Sequence, residues 1–216
     1  MPSSLPLDAK RRRRVLFAAA GAALIGAPAL HLRALAQTAS RRLTPTQTEG
    51  PFYPAALPAD SDADLLANGA LRYARGQPAW VEGTVSDADG RPVRGAVVEI
   101  WQCDEQGHYH HPGDGNRADR AFQGFGKVAV DAEGRYRFRT IRPVAYGGRA
   151  PHIHVKVKLA ARELLTTQLY VQGDAGNARD FVWRNLRSDD DRAAVTVGFT
   201  PGGDGLLARF PIVVAA

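Results

Sequence analysis

The chain has 216 residues, a formal net charge of +6 and a single cysteine, Cys103, which excludes an intrachain disulfide even in an oxidising compartment. Residues 1–36 hold six of its 28 basic residues and one of its 22 acidic ones. That leaves 22 against 21, or +1, for residues 37–216, which is too small a surplus to build the basic patch that nucleic-acid binding requires.

The N-terminal segment has the layout of an export signal. A cationic stretch precedes an uncharged run over 15–30, and a small-x-small cleavage site ends at Ala36. Paired arginines directly before the run indicate the twin-arginine route, and the run is shorter than the roughly 20 residues of a bilayer-crossing helix. We expect 1–36 to be cleaved, which leaves 37–216 as one exported domain, periplasmic or extracellular and without membrane attachment. An uncleaved anchor and cleavage after Ala29 stay open.

Short alternating or apolar runs follow, separated by turns rich in Gly, Asp, Asn and Pro. They predict an all-β protein, an antiparallel β-sandwich or barrel of about eight strands with long loops. Two stretches, 64–74 and 178–186, predict short helices. Cys103 ends an apolar run, which favours a buried, inert thiol. The predicted strands lie at 79–85, 95–102, 126–131, 134–141, 152–159, 164–171, 193–199 and 206–214.

The run HIHVKVKL, residues 152–159, alternates polar and apolar side chains. Successive strand residues point to opposite faces, so His152 and His154 stand side by side on the polar face. A solvated edge explains such a pair, and so does a metal site, in which case the strand is buried on both faces at its histidine end. Lys156 and Lys158 lie farther along that face, and we expect their ammonium groups to reach solvent. Lys158→Ala should then change the free energy of unfolding by no more than about 0.5 kcal/mol.

Two tyrosines bear on the choice of metal. Tyr109 lies in GHYHHPGD, after the strand that carries Trp101, and Tyr146 lies in a glycine-rich turn six residues before His152. Two phenols and two imidazoles form an anionic, hard donor set that suits Fe(III). Zn(II) sites commonly use Cys, His or carboxylate, and Cu(I) prefers thiolate or thioether.

Four ordered motifs carry a family resemblance: QTEGPFY, GAVVEIWQCDEQGHYHH, FQGFGKVAVDAEGRYRFRTIRPVAYGGRAPHIHV and TTQLYVQGD. Together they cover about residues 44–175 and resemble the intradiol ring-cleavage dioxygenases, the family of protocatechuate 3,4-dioxygenase and catechol 1,2-dioxygenase. That family holds a non-haem ferric ion on a β-sandwich with two tyrosines and two histidines. By motif position, the resemblance implies that these ligands are Tyr109, Tyr146, His152 and His154.

The resemblance also implies a reaction: a small catecholic substrate is cleaved by O2 between its two hydroxylated carbons to a muconate-type diacid. Tyr146 is the ligand expected to leave the metal and accept a proton from the catechol. Arg149 is expected to stabilise negative charge on the ring, and Gln168 to assist a later rearrangement. Gly50 and Pro51 match a segment that lines the aromatic pocket, to which Arg149 also belongs.

Two departures from the family pattern concern the substrate and the assembly. Only five residues separate Tyr146 from His152, where better-known relatives carry a longer loop, so we expect a more open pocket. We also expect no counterpart of the N-terminal helical dimerisation region of the catechol 1,2-type enzymes. A protocatechuate-like or exported subgroup therefore fits better, and the ring substituents and any homo-oligomer stay open.

Two other classes of function remain as alternatives. The stretch 81–101 resembles prealbumin-like modules, which favours a secreted β-sandwich binding module without iron. A periplasmic copper protein using HYHH and HIH is the second alternative. Measured iron and a visible colour would argue against the binding module. A Cu(II) spectrum that persists without either tyrosine would identify the copper protein. We expect His108, His110 and His111 to flank the metal site rather than bind the metal.

Overall fold

A computed structural model describes residues 40–216, so the predicted export signal at 1–36 lies outside the described residues. Two five-stranded sheets pack face to face, with a two-stranded ribbon beside them. The strands are β1 (Ala67–Asn68), β2 (Leu71–Arg72), β3 (Pro78–Ser86), β4 (Ala96–Trp101), β5 (Phe125–Ala129), β6 (Arg135–Ile141), β7 (His152–Leu159), β8 (Arg162–Val171), β9 (Thr196–Val197), β10 (Phe199–Pro201), β11 (Leu206–Arg209) and β12 (Ile212–Val213). Two 3-10 turns (Pro112–Asp114 and Asn177–Arg179) and helices α1 (Phe181–Arg184) and α2 (Asp189–Ala194) complete the described elements.

The sandwich predicted from the sequence is confirmed, with one difference in strand direction. The first sheet contains β10, β11, β3, β6 and β12, and the second has the order β5-β4-β7-β8-β9. Most pairs are antiparallel, but β11 and β12 run parallel to β3, and β9 runs parallel to β8. The helical excursion between β8 and β9 carries the chain back before it pairs again, which a parallel neighbour requires.

Of the two predicted helices, one is wrong. Within 64–74, residues 67–72 form the β1–β2 ribbon, because Gly69 and Ala70 make a tight two-residue turn in which Gly69 has a φ of +55°. The second, 178–186, is confirmed as a 3-10 turn followed by α1. Helix α2, which Ser188 caps, continues to Ala194. The predicted strand 193–199 therefore begins only at Thr196 and is divided into β9 and β10. No helix within residues 40–216 is long and apolar enough to cross a membrane.

The main core lies between the two sheets and is built from alternate strand residues. Ile153, Val155 and Val157 of β7 face into it, as the alternation predicts, and Cys103 is buried in a smaller aromatic cluster. Burying such an aliphatic side chain contributes about 1.5–3 kcal/mol, so the core face anchors β7 independently of its polar face. The core partners of β7 include Val98, Ile100, Phe138, Leu165 and Phe210.

The outer face of the second sheet is covered by residues 44–53, here called the N-terminal strap. Gln47 donates its backbone N–H to the Thr166 carbonyl at 2.9 Å, and the Tyr53 hydroxyl donates to the Glu99 carboxylate at 2.8 Å. The strap therefore buries this polar sheet face. Strand alternation alone would leave the face open to water.

Burial under the strap overturns the solvent exposure expected for two lysines. Lys156 is buried, pairs with Glu49 of the strap and Glu163 of β8, and places its ammonium 4.1 Å from the Tyr53 ring centroid. Lys158 is half-buried, and its ammonium donates to the carboxylate of Glu99 at 2.9 Å. Neither charged group extends freely into solvent. The reason for expecting Lys158→Ala to have only a small effect on the free energy of unfolding therefore no longer holds.

We expect Lys158→Met to lower the free energy of unfolding by about 1–3 kcal/mol, because it leaves the buried Glu99 carboxylate with one hydroxyl partner and no cation. The lower bound reflects the partial exposure of Lys158, which screens the pair. Urea unfolding measures the change. Arg75→Met, at an exposed arginine between β2 and β3, is the control and should stay within about 0.5 kcal/mol of the parent. Equal effects of the two substitutions would contradict this assignment.

Candidate metal centre

Three segments bring the four predicted ligand side chains together beneath the strap. His152 and His154 begin β7, Tyr146 lies in the loop from β6 to β7, and Tyr109 lies in the loop from β4 to β5. The Nε2 atoms of the two histidines are 3.2 Å apart, and the Tyr146 hydroxyl is 3.3 Å from Nε2 of His152. The Tyr109 ring packs edge-on against Tyr146, with 5.1 Å between ring centroids.

These separations fit donors that share one metal ion. Two ligands about 2.1 Å from an ion and about 90–110° apart are separated by about 3.0–3.4 Å. Nδ1 of His152 lies 2.6 Å from the Ala150 carbonyl oxygen, which accepts only if Nδ1 carries the proton. The lone pair of the neutral His152 ring is then on Nε2 and points at the shared position.

The protonation states of both histidines agree with metal binding. Burial, together with the positive charge of Arg149, lowers the pKa of His152 to about 4. Burial also holds the pKa of His154 well below its ordinary value, with further lowering by His152 and Arg149. Both rings are therefore neutral at ordinary pH, which is the form of imidazole that binds a metal.

Tyr109 and Tyr146 differ in their access to solvent. The Tyr109 hydroxyl is buried and has no hydrogen-bond partner among residues 40–216, and such an orphaned group costs about 1–3 kcal/mol. Burial raises the pKa of both tyrosines, so a cation is needed to hold them as phenolates. Tyr146 is partly exposed, whereas Tyr109 is enclosed. This donor set fits a hard metal ion.

Aromatic neighbours fix the ligand rings. Trp101 stacks on His154 with 4.8 Å between centroids and 9° between planes. Phe52, in the strap, stacks on Tyr109 at 4.7 Å and 23°. The first contact is set by the β4–β7 register, in which Trp101 lies opposite His154.

The two predicted pocket residues of the strap lie in different environments. Gly50 has a φ of +76°, and a Cβ atom built on it would lie 3.2 Å from Cε1 of His154. Pro51 is exposed at the next position. Gly50 thus backs the imidazole of His154, and its contact with substrate stays a prediction.

Gly50→Ala is expected to weaken metal binding several-fold, because the added methyl presses on the His154 ring. The left-handed backbone adds strain of about 1–2 kcal/mol. Gly173→Ala is the matched control, since Gly173 has a φ of +77° and nothing within 4 Å of its Cβ position. Both variants should lose similar stability in thermal unfolding, and only Gly50→Ala should lose affinity in a metal titration. Equal metal affinity in the two variants would contradict the contact.

Arg149 and Gln168 are joined in one hydrogen-bonded network beside the ligands. Nη2 of Arg149 donates to Oε1 of Gln168 at 2.6 Å and to the Tyr170 hydroxyl at 3.2 Å. The Gln168 amide donates to the Thr48 carbonyl at 2.9 Å, and Gln168 lies opposite His154 in the β7–β8 register. The sequence analysis missed Tyr170, and also Gln47, whose side-chain amide donates to the Tyr170 hydroxyl at 3.2 Å.

Asp180 is a further buried residue that the sequence analysis missed. Its carboxylate accepts from Nε of Arg149 at 2.8 Å and from the backbone N–H groups of Val182 and Trp183 at the start of α1. An Asp directly before a predicted helix is a helix-capping signal, which could have singled out the residue. Its contact with Arg149 joins segments 31 residues apart and has no local signal.

The other three histidines make local contacts. His110 Nε2 lies 2.5 Å from the Phe122 carbonyl oxygen, and His111 Nδ1 accepts from the Gly113 N–H at 3.0 Å. His108 Nδ1 is 3.3 Å from the Asp114 carboxylate. Within residues 40–216 no three His, Cys, Asp or Glu side chains converge as a metal site. Nothing in these contacts favours the copper alternative.

The short β6–β7 loop places Tyr146 and Arg149 at the two ends of one tight turn. Arg149 donates its backbone N–H to the Tyr146 carbonyl at 2.7 Å, and Gly147 and Gly148 have φ angles of +50° and +80°. Two consecutive left-handed residues are typical of a type I′ turn. A cavity of about 550 Å³ borders this turn, with Asp174 on its wall.

A β-sandwich that gathers two phenols and two neutral imidazoles beside one covered sheet face defines a protein with a candidate tyrosine–histidine metal centre. Residues 48–190 match the family described as Dioxygenase. The chain belongs to this family, the intradiol dioxygenases.

The region that matches this chain makes up a different share of each relative. The chain is 36% identical over 143 residues to hydroxyquinol 1,2-dioxygenase of Corynebacterium glutamicum, which covers 58% of this chain and 45% of that protein. It is 37% identical over 154 residues to the protocatechuate 3,4-dioxygenase beta chain of Burkholderia cepacia, covering 64% and 65%. The dioxygenase domain of a dioxygenase carbohydrate-binding protein fusion from Streptomyces sp. SirexAA-E has a TM-score of 0.63 at 30% identity, covering 80% of this chain and 97% of that domain. The chain thus spans about half the length of several relatives it matches.

Proposed function

We propose that this protein is a non-haem Fe(III) dioxygenase that cleaves a catechol-type ring between its two hydroxylated carbons with O2, giving a muconate-type diacid. One observation carries the proposal: Nε2 of His152 lies 3.3 Å from Tyr146 Oη and 3.2 Å from Nε2 of His154, beside the buried and unpartnered hydroxyl of Tyr109. The names of the relatives, which act on hydroxyquinol and protocatechuate, support the same class of substrate.

The residues that would hold the iron are Tyr109, Tyr146, His152 and His154. Fe(III) would supply Lewis acidity for catechol binding and an electron-accepting centre that makes the bound ring reactive towards O2. Two phenols are hard, anionic donors once ionised, and such donors match the ferric state.

The two tyrosines have different roles because they differ in exposure. Tyr146 is partly exposed, so its hydroxyl oxygen is the one that an incoming catechol reaches and to which the catechol gives a proton. Tyr109 is enclosed beneath Phe52 and stays in place. A proton acceptor at the open side and a fixed donor at the closed side make Tyr146 the general base.

Arg149 and the strap prepare the remaining environment. Within residues 40–216, Nη1 is the only guanidinium nitrogen of Arg149 that has no partner, and it is therefore free to donate to negative charge on the substrate. Gln168 keeps its amide oxygen towards Arg149 because its amide nitrogen is held by Thr48. The strap excludes water from the back of the site.

Oxygen uptake and metal analysis test this proposal. Purified protein should contain about one iron per chain, be reddish from phenolate-to-Fe(III) charge transfer, and consume one O2 per ring opened. Catechol, protocatechuate and hydroxyquinol form the panel, with quinol, whose hydroxyls are not adjacent, as the control substrate. With ¹⁸O2 both atoms should enter the diacid. Colourless protein that stays inactive after iron reconstitution would overturn the proposal.

Export is a separate proposal that rests on residues 1–36. The run of arginines, the apolar stretch and the site ending at Ala36 support release of the domain to the periplasm or the exterior by the twin-arginine route. Replacing Arg13 and Arg14 by lysine should retain the chain in the cytoplasm in cell fractionation, with Lys127→Met as the control. Export that is indifferent to the arginine pair would contradict this route.

A further inference from the structure

Asp180 is a buried carboxylate whose contacts reach into the proposed active site. It has no exposed surface. Its Oδ2 accepts from Nε of Arg149 and from the backbone N–H of Ala150, both at 2.8 Å. Its Oδ1 accepts from the N–H groups of Val182 and Trp183 at 2.9 and 3.0 Å. Four short hydrogen bonds fix this carboxylate before any substrate arrives.

The carboxylate determines which edge of the Arg149 guanidinium remains free. Nε is bound to Asp180 Oδ2, and Nη2 is bound to Gln168 and Tyr170 and more weakly, at 3.4 Å, to Asp180 Oδ1. Two sides of the planar group are thereby occupied, so its rotation is blocked. Nη1 alone has no partner within residues 40–216.

We propose that Asp180, through the ion pair of its Oδ2 with Arg149 Nε, is a positioning residue that directs Arg149 Nη1 to the substrate of the dioxygenase. This inference rests on the proposed function. Asp180 touches neither the predicted ligands nor the space beside Tyr146. It joins the start of α1 to the turn that carries Tyr146 and Arg149, through the backbone of Ala150.

Asp180→Asn is the informative variant because it preserves shape and one amide oxygen. That oxygen can still cap α1 at Val182 and Trp183, whereas the amide nitrogen cannot accept from Arg149 Nε. In the iron-loaded full chain we expect kcat to fall about 10–100-fold, with iron content and the resting visible band unchanged. Arg149→Gln should lower kcat at least as far. The double variant should be no slower than Arg149→Gln alone, because residues that act through one another are non-additive.

A second measurement reports whether the Arg149 guanidinium is held in place, and it does not require catalysis. A dicarbonyl reagent modifies free guanidinium groups, and peptide mass spectrometry locates the product. Asp180→Asn should speed modification of Arg149 several-fold in both iron-loaded and iron-free protein. The matched control is Asp191→Asn, since Asp191, in the first turn of α2, is also a buried carboxylate paired with an arginine, Arg42, at 2.8 Å. It should leave kcat and the modification of Arg149 at parent values.

Three results would overturn the inference: a parent-like kcat in Asp180→Asn, effects that multiply in the double variant, or loss of iron in step with loss of kcat. An unchanged modification rate at Arg149 would do so without any activity assay. Failure of the proposed function gives a different result, because the parent protein would then cleave no catechol while Arg149 still became more reactive in Asp180→Asn.

Discussion

The double variant His152→Ala/His154→Ala is expected to bind less than about a tenth of the parent's iron while keeping its β-sandwich. Both imidazoles are fully buried, and their Nε2 atoms are two of the donors that meet at the candidate centre. The fold survives because the opposite face of β7, with Ile153 and Val155, keeps its place in the core. Metal analysis after iron reconstitution measures the first effect, and far-ultraviolet circular dichroism measures the second.

His110→Ala is the control for the histidine experiment. His110 belongs to the other histidine cluster and contacts the Phe122 carbonyl, so its removal should leave the iron content unchanged. Full iron in the double variant would refute the ligand assignment. Loss of metal from His110→Ala would instead revive a site built on the HYHH motif.

Tyr109→Phe and Tyr146→Phe are expected to fail at different steps. Tyr109→Phe deletes the enclosed donor, so visible absorbance and activity should both fall steeply. Tyr146→Phe deletes the accessible proton acceptor, so catechol should still bind but lose its proton slowly, and kcat should fall about 10²–10⁴-fold. Anaerobic stopped-flow spectroscopy with catechol separates binding from proton transfer.

The pair of tyrosine variants has a built-in control. Tyr73→Phe removes a hydroxyl that accepts from the Glu105 backbone N–H at 3.0 Å, away from the predicted ligands, and should leave colour and kcat unchanged. Small and equal effects of Tyr109→Phe and Tyr146→Phe would show that neither phenol binds the metal.

Much of the fold could be predicted from the sequence because strand alternation is a local property. The pattern of β7 places Ile153, Val155 and Val157 in the core and the two histidines on one face, and the structure confirms both. Residue type narrows the chemistry as well, since paired phenols and imidazoles suit a hard metal. The four donors were identified by pattern and family resemblance, and the structure brings them together.

Only the tertiary structure decided what covers each face. Alternation puts Lys156 beside His154 but is silent on whether that face meets water, and the strap, about a hundred residues earlier in the chain, buries it. The same limit applies to Asp180, because an ion pair across 31 residues leaves no local pattern. Local sequence determines which way a side chain points. The packing of distant segments determines its neighbours, and with them its charge, exposure and role.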